Sequence, residues 1–327
     1  MKTALGTSID IAVGETSYDS NCKRLLSQKS VLAWIMKDCV GVFNDFAVDA
    51  IAGQCIENDP LISEVPLAPD VTGAFLQGQI NAQTSPTEGD VYFDIYFNAV
   101  VPRTHDSLHL IINVEAQADF YPGYPILKRG VYYCARMLSS QKETIFTQSH
   151  YEQLRKVYSI WLCTNPPKDR RNTIISYQMT PKSIRGYYQE DVGNYDLLTV
   201  VVVCLGDENS ADCTGILKLL TVLLSRAMSP QEKKQILQDE FSLPMTQAME
   251  KEVDEMCNLG HAIYVNGVDE GRKEGRKEGR EEGRISGVAA SIKSLMESMG
   301  WEINEAMNAL RIPEADRQTY INALAQQ

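Results

Sequence analysis

The sequence lacks a long hydrophobic run. Its longest apolar stretch, Leu197–Leu205, is nine residues and includes a threonine. A bilayer-spanning helix needs about 18 or more, so no membrane partner is expected, and the stretch reads as a buried strand. The opening segment, Met1 to Thr16, lacks the charged-then-apolar pattern of a secretion signal, and a cytoplasmic protein is expected. Metal-ligand spacing is missing too. There are four histidines, and eight cysteines (Cys22, Cys39, Cys55, Cys134, Cys163, Cys204, Cys213 and Cys257) that stand singly with no CxxC pair. Such usage argues against a zinc site or a disulfide framework and for buried free thiols. Net positive charge is also absent: the total is −12.

What is present suits a globular protein. The 327 residues are 44% hydrophobic and 23% charged, enough for one generous domain with extensions. The charge is unevenly spread. Residues 101–200 carry 12 Lys/Arg against 9 Asp/Glu, while residues 1–100 carry 5 against 13. An anionic partner would meet the middle of the chain.

Residues 18–57 have helical spacing (Leu25, Leu26, Val31, Leu32, Ile35, Met36), and residues 58–89 are rich in turn formers and read as a loop or extended segment. Strands are expected at Val91–Phe97, Leu108–Glu115, Val157–Cys163, 172–180 and Leu197–Leu205, and a helix at Tyr124–Ser139. Beyond Thr214 the chain reads helical. This order predicts an α/β fold with a mixed sheet flanked by helices. The expected divisions are an N-terminal tail (1–17), a main domain (18–228), a helical extension (229–268), a charged repeat (269–285) and a small C-terminal helical segment (286–327).

The chemistry centres on the hairpin from Val91 to Gln117. Side chains alternate faces along a strand. On the second strand Glu115 and Gln117 therefore share a face, and on the first Tyr92, Asp94 and Tyr96 share a face, opposite Phe93. With the turn centred between Thr104 and His105, paired residues have numbers summing to 209, and Asp94 falls opposite Glu115. Directly opposed Cβ atoms lie about 4.5–5.5 Å apart. Two carboxylates so placed can grip one divalent ion, and the Ala116 carbonyl is a third candidate ligand. A one-residue slip would turn them apart.

Asp94 followed by Glu115-Ala116-Gln117 resembles the PD-(D/E)xK nuclease signature. Glutamine in place of the usual lysine is similar to the transposase-associated, recombination-promoting (Rpn-like) branch. The segments Tyr18–Lys23 and Phe120–Tyr133 and the Gly-Arg-x-Glu tail strengthen the resemblance, which spans about residues 18–285. It implies a restriction-endonuclease-like core with a helical C-terminal extension. It further implies a Mg²⁺- or Mn²⁺-dependent DNA endonuclease serving recombination or a mobile element, with Asp94, Glu115 and Gln117 catalytic and Asp94, Glu115 and Ala116 on the metal. Phe93 stands where the family's proline would be. Gln117 carries no charge and cannot act as a general acid; it can position water or phosphate. A catalytically weak or inactive nucleic-acid-binding or oligomerising protein of the same fold is the alternative.

On the helix Tyr124–Ser139, Leu127, Val131, Cys134, Ala135 and Leu138 form the expected apolar stripe. Arg129, Tyr133 and Arg136, flanked by Lys128 and Tyr132, form the expected DNA-facing side; the competing reading is a solvated helix face. Lys168, Arg170 and Arg171 are a second basic group in a loop. Asp19 and Lys23 are minor candidates for the site. His105 and His109 are not expected to be ligands. In the tail, Glu270–Arg284 repeats with period four. Glu270 with Lys273 and Glu274 with Lys277 support a helix, four glycines weaken it, and a flexible linker is the competing reading. A glycine row would permit close helix approach in a homo-oligomer.

Overall fold

The computed structural model describes residues 17–62, 82–85, 89–102 and 107–325. The chain divides between residues 263 and 264 into two compact units. The first opens with helices α1 (17–26) and α2 (Lys29–Cys39), and a short turn of helix, α3 (Val48–Ala50). Next come strands β1 (Ile56–Ile62), β2 (Ala82–Ser85), β3 (Gly89–Tyr92), β4 (Ile95–Val101) and β5 (Leu108–Asp119), then helix α4 (Ile126–Ser139). Strands β6 (Lys156–Asn165), β7 (Thr173–Gln178) and β8 (Leu198–Cys204) follow, then helices α5 (Gly215–Leu224) and α6 (Pro230–Asp239).

Six strands form one mixed sheet in the order β1-β4-β5-β6-β8-β7, and β2-β3 make a separate two-stranded sheet. The pairs β5/β6 and β6/β8 are parallel; β1/β4, β4/β5 and β7/β8 are antiparallel. The apolar runs expected to be buried strands fill the centre: β6 and β8 are buried on both faces, as strands covered on both sides must be.

Alternation along the strands builds two cores. Leu110, Ile112 and Val114 of β5 join α1, α2, α5 and α6 on one face. Ile111, with Trp161 and Val200, joins α4 on the other. The close approach of α4 depends on Gly130. A Cβ there would lie 2.7 Å from Val200 Cγ1 and 2.8 Å from Trp161 Nε1. Under the other face, Lys233 is fully buried. Its ammonium donates to the Leu223 and Ser225 carbonyls at 3.0 and 2.6 Å, at the end of α5. Those carbonyls would otherwise be orphaned by the end of the helix.

Several expectations change. The strand expected over Val91–Phe97 is two strands, broken at Phe93 and Asp94, with β3 pairing to β2 instead of continuing the main sheet. The segment 58–89, expected as a loop or extended, begins within strand β1. Its Asn-Asp-Pro sequence reads as a turn, but β1 is an edge strand and its register shifts between Glu57 and Leu61. An edge bulge accommodates a proline. The remainder of that segment lies mostly outside the described residues, as do the N-terminal tail and the hairpin tip with His105. The helical extension belongs largely to the first unit, since Leu237, Phe241, Met249, Val253 and Met256 join its core.

The repeat is helical, within α7 (Gln247–Met299). Built Cβ atoms on Gly275, Gly279, Gly283 and Gly287 meet nothing within 4 Å. The side chains of Glu270 and Glu274 lie outside the description. Gly300, with φ +68°, ends α7. Two short helices follow on either side of Ile312-Pro313, α8 (Ile303–Ala309) and α9 (Glu314–Leu324). They pack on the end of α7 through Ile292, Met307, Ile312 and Tyr320. Among the described residues no helix is long and apolar enough to cross a membrane.

Candidate active site

The hairpin register is the expected one. Ile95 pairs with Val114 and Val101 with Leu108. Asp94 lies one residue beyond the end of this ladder, at the bend before β4. There it faces Glu115, and the two residues are tied reciprocally. The Asp94 N–H donates to Glu115 Oε1 at 3.0 Å, and the Ala116 N–H donates to Asp94 Oδ2 at 3.2 Å. Asn113 Nδ2 donates to the same Glu115 oxygen at 2.8 Å. The bend also turns Phe93. Instead of facing away from Tyr96, it stacks on it at 5.5 Å and meets Tyr133 edge-on at 5.2 Å.

Both carboxyls are held above their ordinary range. For Glu115, 4% exposed, burial is the main cause and the charge of Asp94 the second. For Asp94 burial again leads, opposed by Lys23. Two acids forced together out of water call for a cation.

Lys23 supplies one. Its ammonium, on α1, sits 2.9 Å from Asp94 Oδ1 and 2.9 Å from Asp19 Oδ2. Burial works against its charge, but Asp94 and Asp19 outweigh burial and raise it above its ordinary value. It therefore stays protonated at the site. Sequence reasoning ranked this lysine low. The available signal was the spacing of Asp19 and Lys23 on one helix, which puts a self-paired charge on the face that docks against the sheet.

Helix α4 is turned relative to its expected faces. Ile126, Gly130, Tyr133, Cys134, Arg136 and Met137 are buried, while Val131 is 44% exposed and Ala135 is exposed. Tyr133 and Arg136 therefore point into the protein and are not a DNA-facing surface. The apolar stripe differs from the buried face because Gly130, which carries no side chain, seats the helix against Trp161 and Val200. Lys128 is exposed. Arg129 is half-buried in an aromatic cage. Its guanidinium lies 5.0, 5.4 and 5.9 Å from the rings of Tyr133, Trp161 and Tyr124, and it donates to the Tyr133 and Tyr124 hydroxyls. Trp161 pairs with Glu115 across β5 and β6, which brings Arg129 near that carboxyl, where its charge opposes the effect of burial.

Gln117 lies beyond Glu115 on the same strand, half-buried, opposite Cys163 of β6. Its amide makes no hydrogen bond among the described residues. His109 sits beside Glu57 at 3.3 Å, six residues and roughly 20 Å along the strand from Glu115. Arg170 stacks over Phe120 at 4.5 Å and Tyr121 at 5.6 Å, away from the carboxylates.

The donor set fits a divalent ion. Asp94 and Glu115 offer hard oxygens, and no hydrogen bond occupies Glu115 Oε2 among the described residues. The Ala116 carbonyl, on the residue whose N–H meets Asp94, is the third candidate ligand. Among the described residues no group of three His, Cys, Asp or Glu side chains gathers for a metal. An ion here would rest on two carboxylates, the carbonyl and water, a set that suits Mg²⁺. Comparison with protein-family models, with curated proteins and with solved structures finds no match for this chain.

Proposed function

We propose that this chain is a metal-dependent DNA endonuclease with a restriction-endonuclease-like core, hydrolysing phosphodiester bonds in the service of recombination or a mobile element. The observation that carries the reading is the juxtaposition of Asp94, Glu115 and Lys23 at the broken end of the hairpin. Asp94, Glu115 and the Ala116 carbonyl would hold Mg²⁺ or Mn²⁺. The bound ion supplies a Lewis acid for the phosphate and a more acidic water.

The protein's own groups do the rest. Lys23 is a fixed positive charge beside Asp94, suited to stabilising charge that builds on the phosphate. Because its proton is held tightly, it acts by charge and not as a base. Gln117 orients water or a phosphate oxygen through its amide. The lysine absent from position 117 is thus replaced from α1. Arg129 places further positive charge beside Glu115, and Lys128 adds an exposed cation next to it on α4.

The test is cleavage of supercoiled plasmid by the full chain with Mg²⁺ or Mn²⁺, with EDTA, and by Asp94→Ala and Glu115→Ala. Metal-dependent nicking lost in both variants is the expected result. No cutting by the wild type, or cutting that survives both changes, would overturn this reading and favour a binding protein of the same fold.

A further inference from the structure

A cavity of about 390 Å³ opens between the start of α4 and the edge strand β7. Phe120, Tyr121, Arg170, Tyr177, Val202 and Cys204 line it. Tyr121 is 56% exposed and Tyr177 41%. The Arg170 guanidinium lies over the Phe120 and Tyr121 rings. Aromatic rings set edge-on at 70°, with a guanidinium over them, suit a planar heteroaromatic ligand, which can stack on a ring or on the guanidinium. Asp169 at the wall offers an acceptor for an exocyclic amino group. Exposed Lys168 and Arg171 flank Arg170 in the same loop and supply charge for a neighbouring phosphate.

The sheet connects this cavity to the acids. Glu115 pairs with Trp161, Trp161 with Val202, and Val202 with Ile175. Gln117 pairs with Cys163, Cys163 with Cys204, and Cys204 with Thr173. Val202, Ile175, Cys204 and Thr173 all border the cavity. At about 4.8 Å per strand, it lies roughly 10–14 Å from the strand that carries Glu115. That is about three or four nucleotides at B-form spacing. The first turn of α4 separates the two places: Ile126 lines the cavity, and Arg129 caps Trp161 on the side of the acids.

We propose that this cavity receives one unstacked base of the DNA strand being cut, a few nucleotides from the scissile phosphate. The proposal rests on the nuclease reading and narrows its substrate to DNA with an unpaired or extruded base. The probe is a single-stranded oligonucleotide carrying 2-aminopurine, titrated in EDTA with the full-length protein and with Tyr121→Ala and Arg170→Ala. Both side chains are exposed, so neither change empties the core.

The wild type should quench the probe by stacking. Each variant should bind about tenfold more weakly, within the range for losing one stacking partner, and quench less. The same probe in a perfect duplex should be quenched far less by the protein. No quenching by the wild type, or variants that bind and quench like it, would overturn the proposal. Plasmid cleavage by the same preparations separates the two readings. Cutting without quenching sinks the base pocket alone. Quenching that depends on both residues, with no cutting by the wild type, keeps the pocket and sinks the nuclease.

Discussion

Lys23 Nζ lies 2.9 Å from Asp94 Oδ1, bringing a cation from the first helix to the broken end of the central hairpin. The pair is mostly shielded from water, with the lysine side chain 10% and the aspartate side chain 19% exposed. A charge placed there acts in a weakly screened setting, where electrostatic effects on a reacting phosphate are larger than at a surface.

The first prediction follows from that pair. Lys23→Met keeps the length of the side chain and removes the charge. Cleavage should fall by about 10²–10³-fold, as when one preorganised electrostatic group is lost. Gln117→Ala should cost about tenfold, the worth of one hydrogen bond. Single-turnover rates at saturating metal decide it. Equal losses in the two variants would remove Lys23 from its proposed role.

A second prediction trades stability against function. Glu115 is buried, and its carboxyl is raised by burial first and by Asp94 second. Glu115→Gln keeps the oxygen that accepts from Asp94 and Asn113 but removes the buried charge. In EDTA the variant should be more stable by about 1 kcal/mol, a rise in Tm of roughly 2–4 °C. It should not cut. Destabilisation in the absence of metal would contradict this account of the site.

Gly130 gives a third. Ala would gain up to about 1 kcal/mol in helix propensity, but its Cβ would meet Val200 and Trp161 below 3 Å. Overpacking costs about 1–3 kcal/mol, so the clash outweighs the gain. Gly130→Ala should be destabilising and Gly130→Val more so, measured by urea denaturation. A stabilised Gly130→Ala would show that α4 can lift off the sheet at little cost.

The cysteines set a fourth. All eight are free and buried. Burial lifts the Cys163 thiol to about 11 and the Cys134 thiol to about 12, from an ordinary 9.0. A raised thiol holds its proton in the folded state after the unfolded chain has lost it. The stability it contributes is whole below about pH 9 and is lost as the pH climbs through 11 and 12. Urea midpoints should therefore be level with respect to these groups up to pH 9 and decline above it. Native protein should give almost no rapid reaction with a thiol reagent, and unfolded protein should give eight equivalents. Fast labelling of native Cys134 or Cys163 would refute their burial.

Much of the scaffold was legible in the chain. Two-residue alternation and a short connection specify a hairpin locally, because a one-residue slip would invert every buried side chain of β5. The register from Val101–Leu108 to Ile95–Val114 was therefore readable, and with it the meeting of Asp94 and Glu115. The apolar runs of β6 and β8 announced central strands. The helical character of the C-terminal segment was likewise readable, and the structure divides it into the end of α7 and the helices on either side of Ile312-Pro313.

Other features depended on tertiary contact. The break at Phe93 and Asp94 reflects the pairing of β3 with β2, which a pattern along one strand does not contain. The buried face of α4 was set by how closely a glycine lets the helix approach Trp161 and Val200, and hydrophobic periodicity has no term for a missing side chain. Lys23 reaches Asp94 only because α1 docks beside the hairpin end. Local patterns determine which faces are apolar, whereas packing between distant elements decides which charges meet.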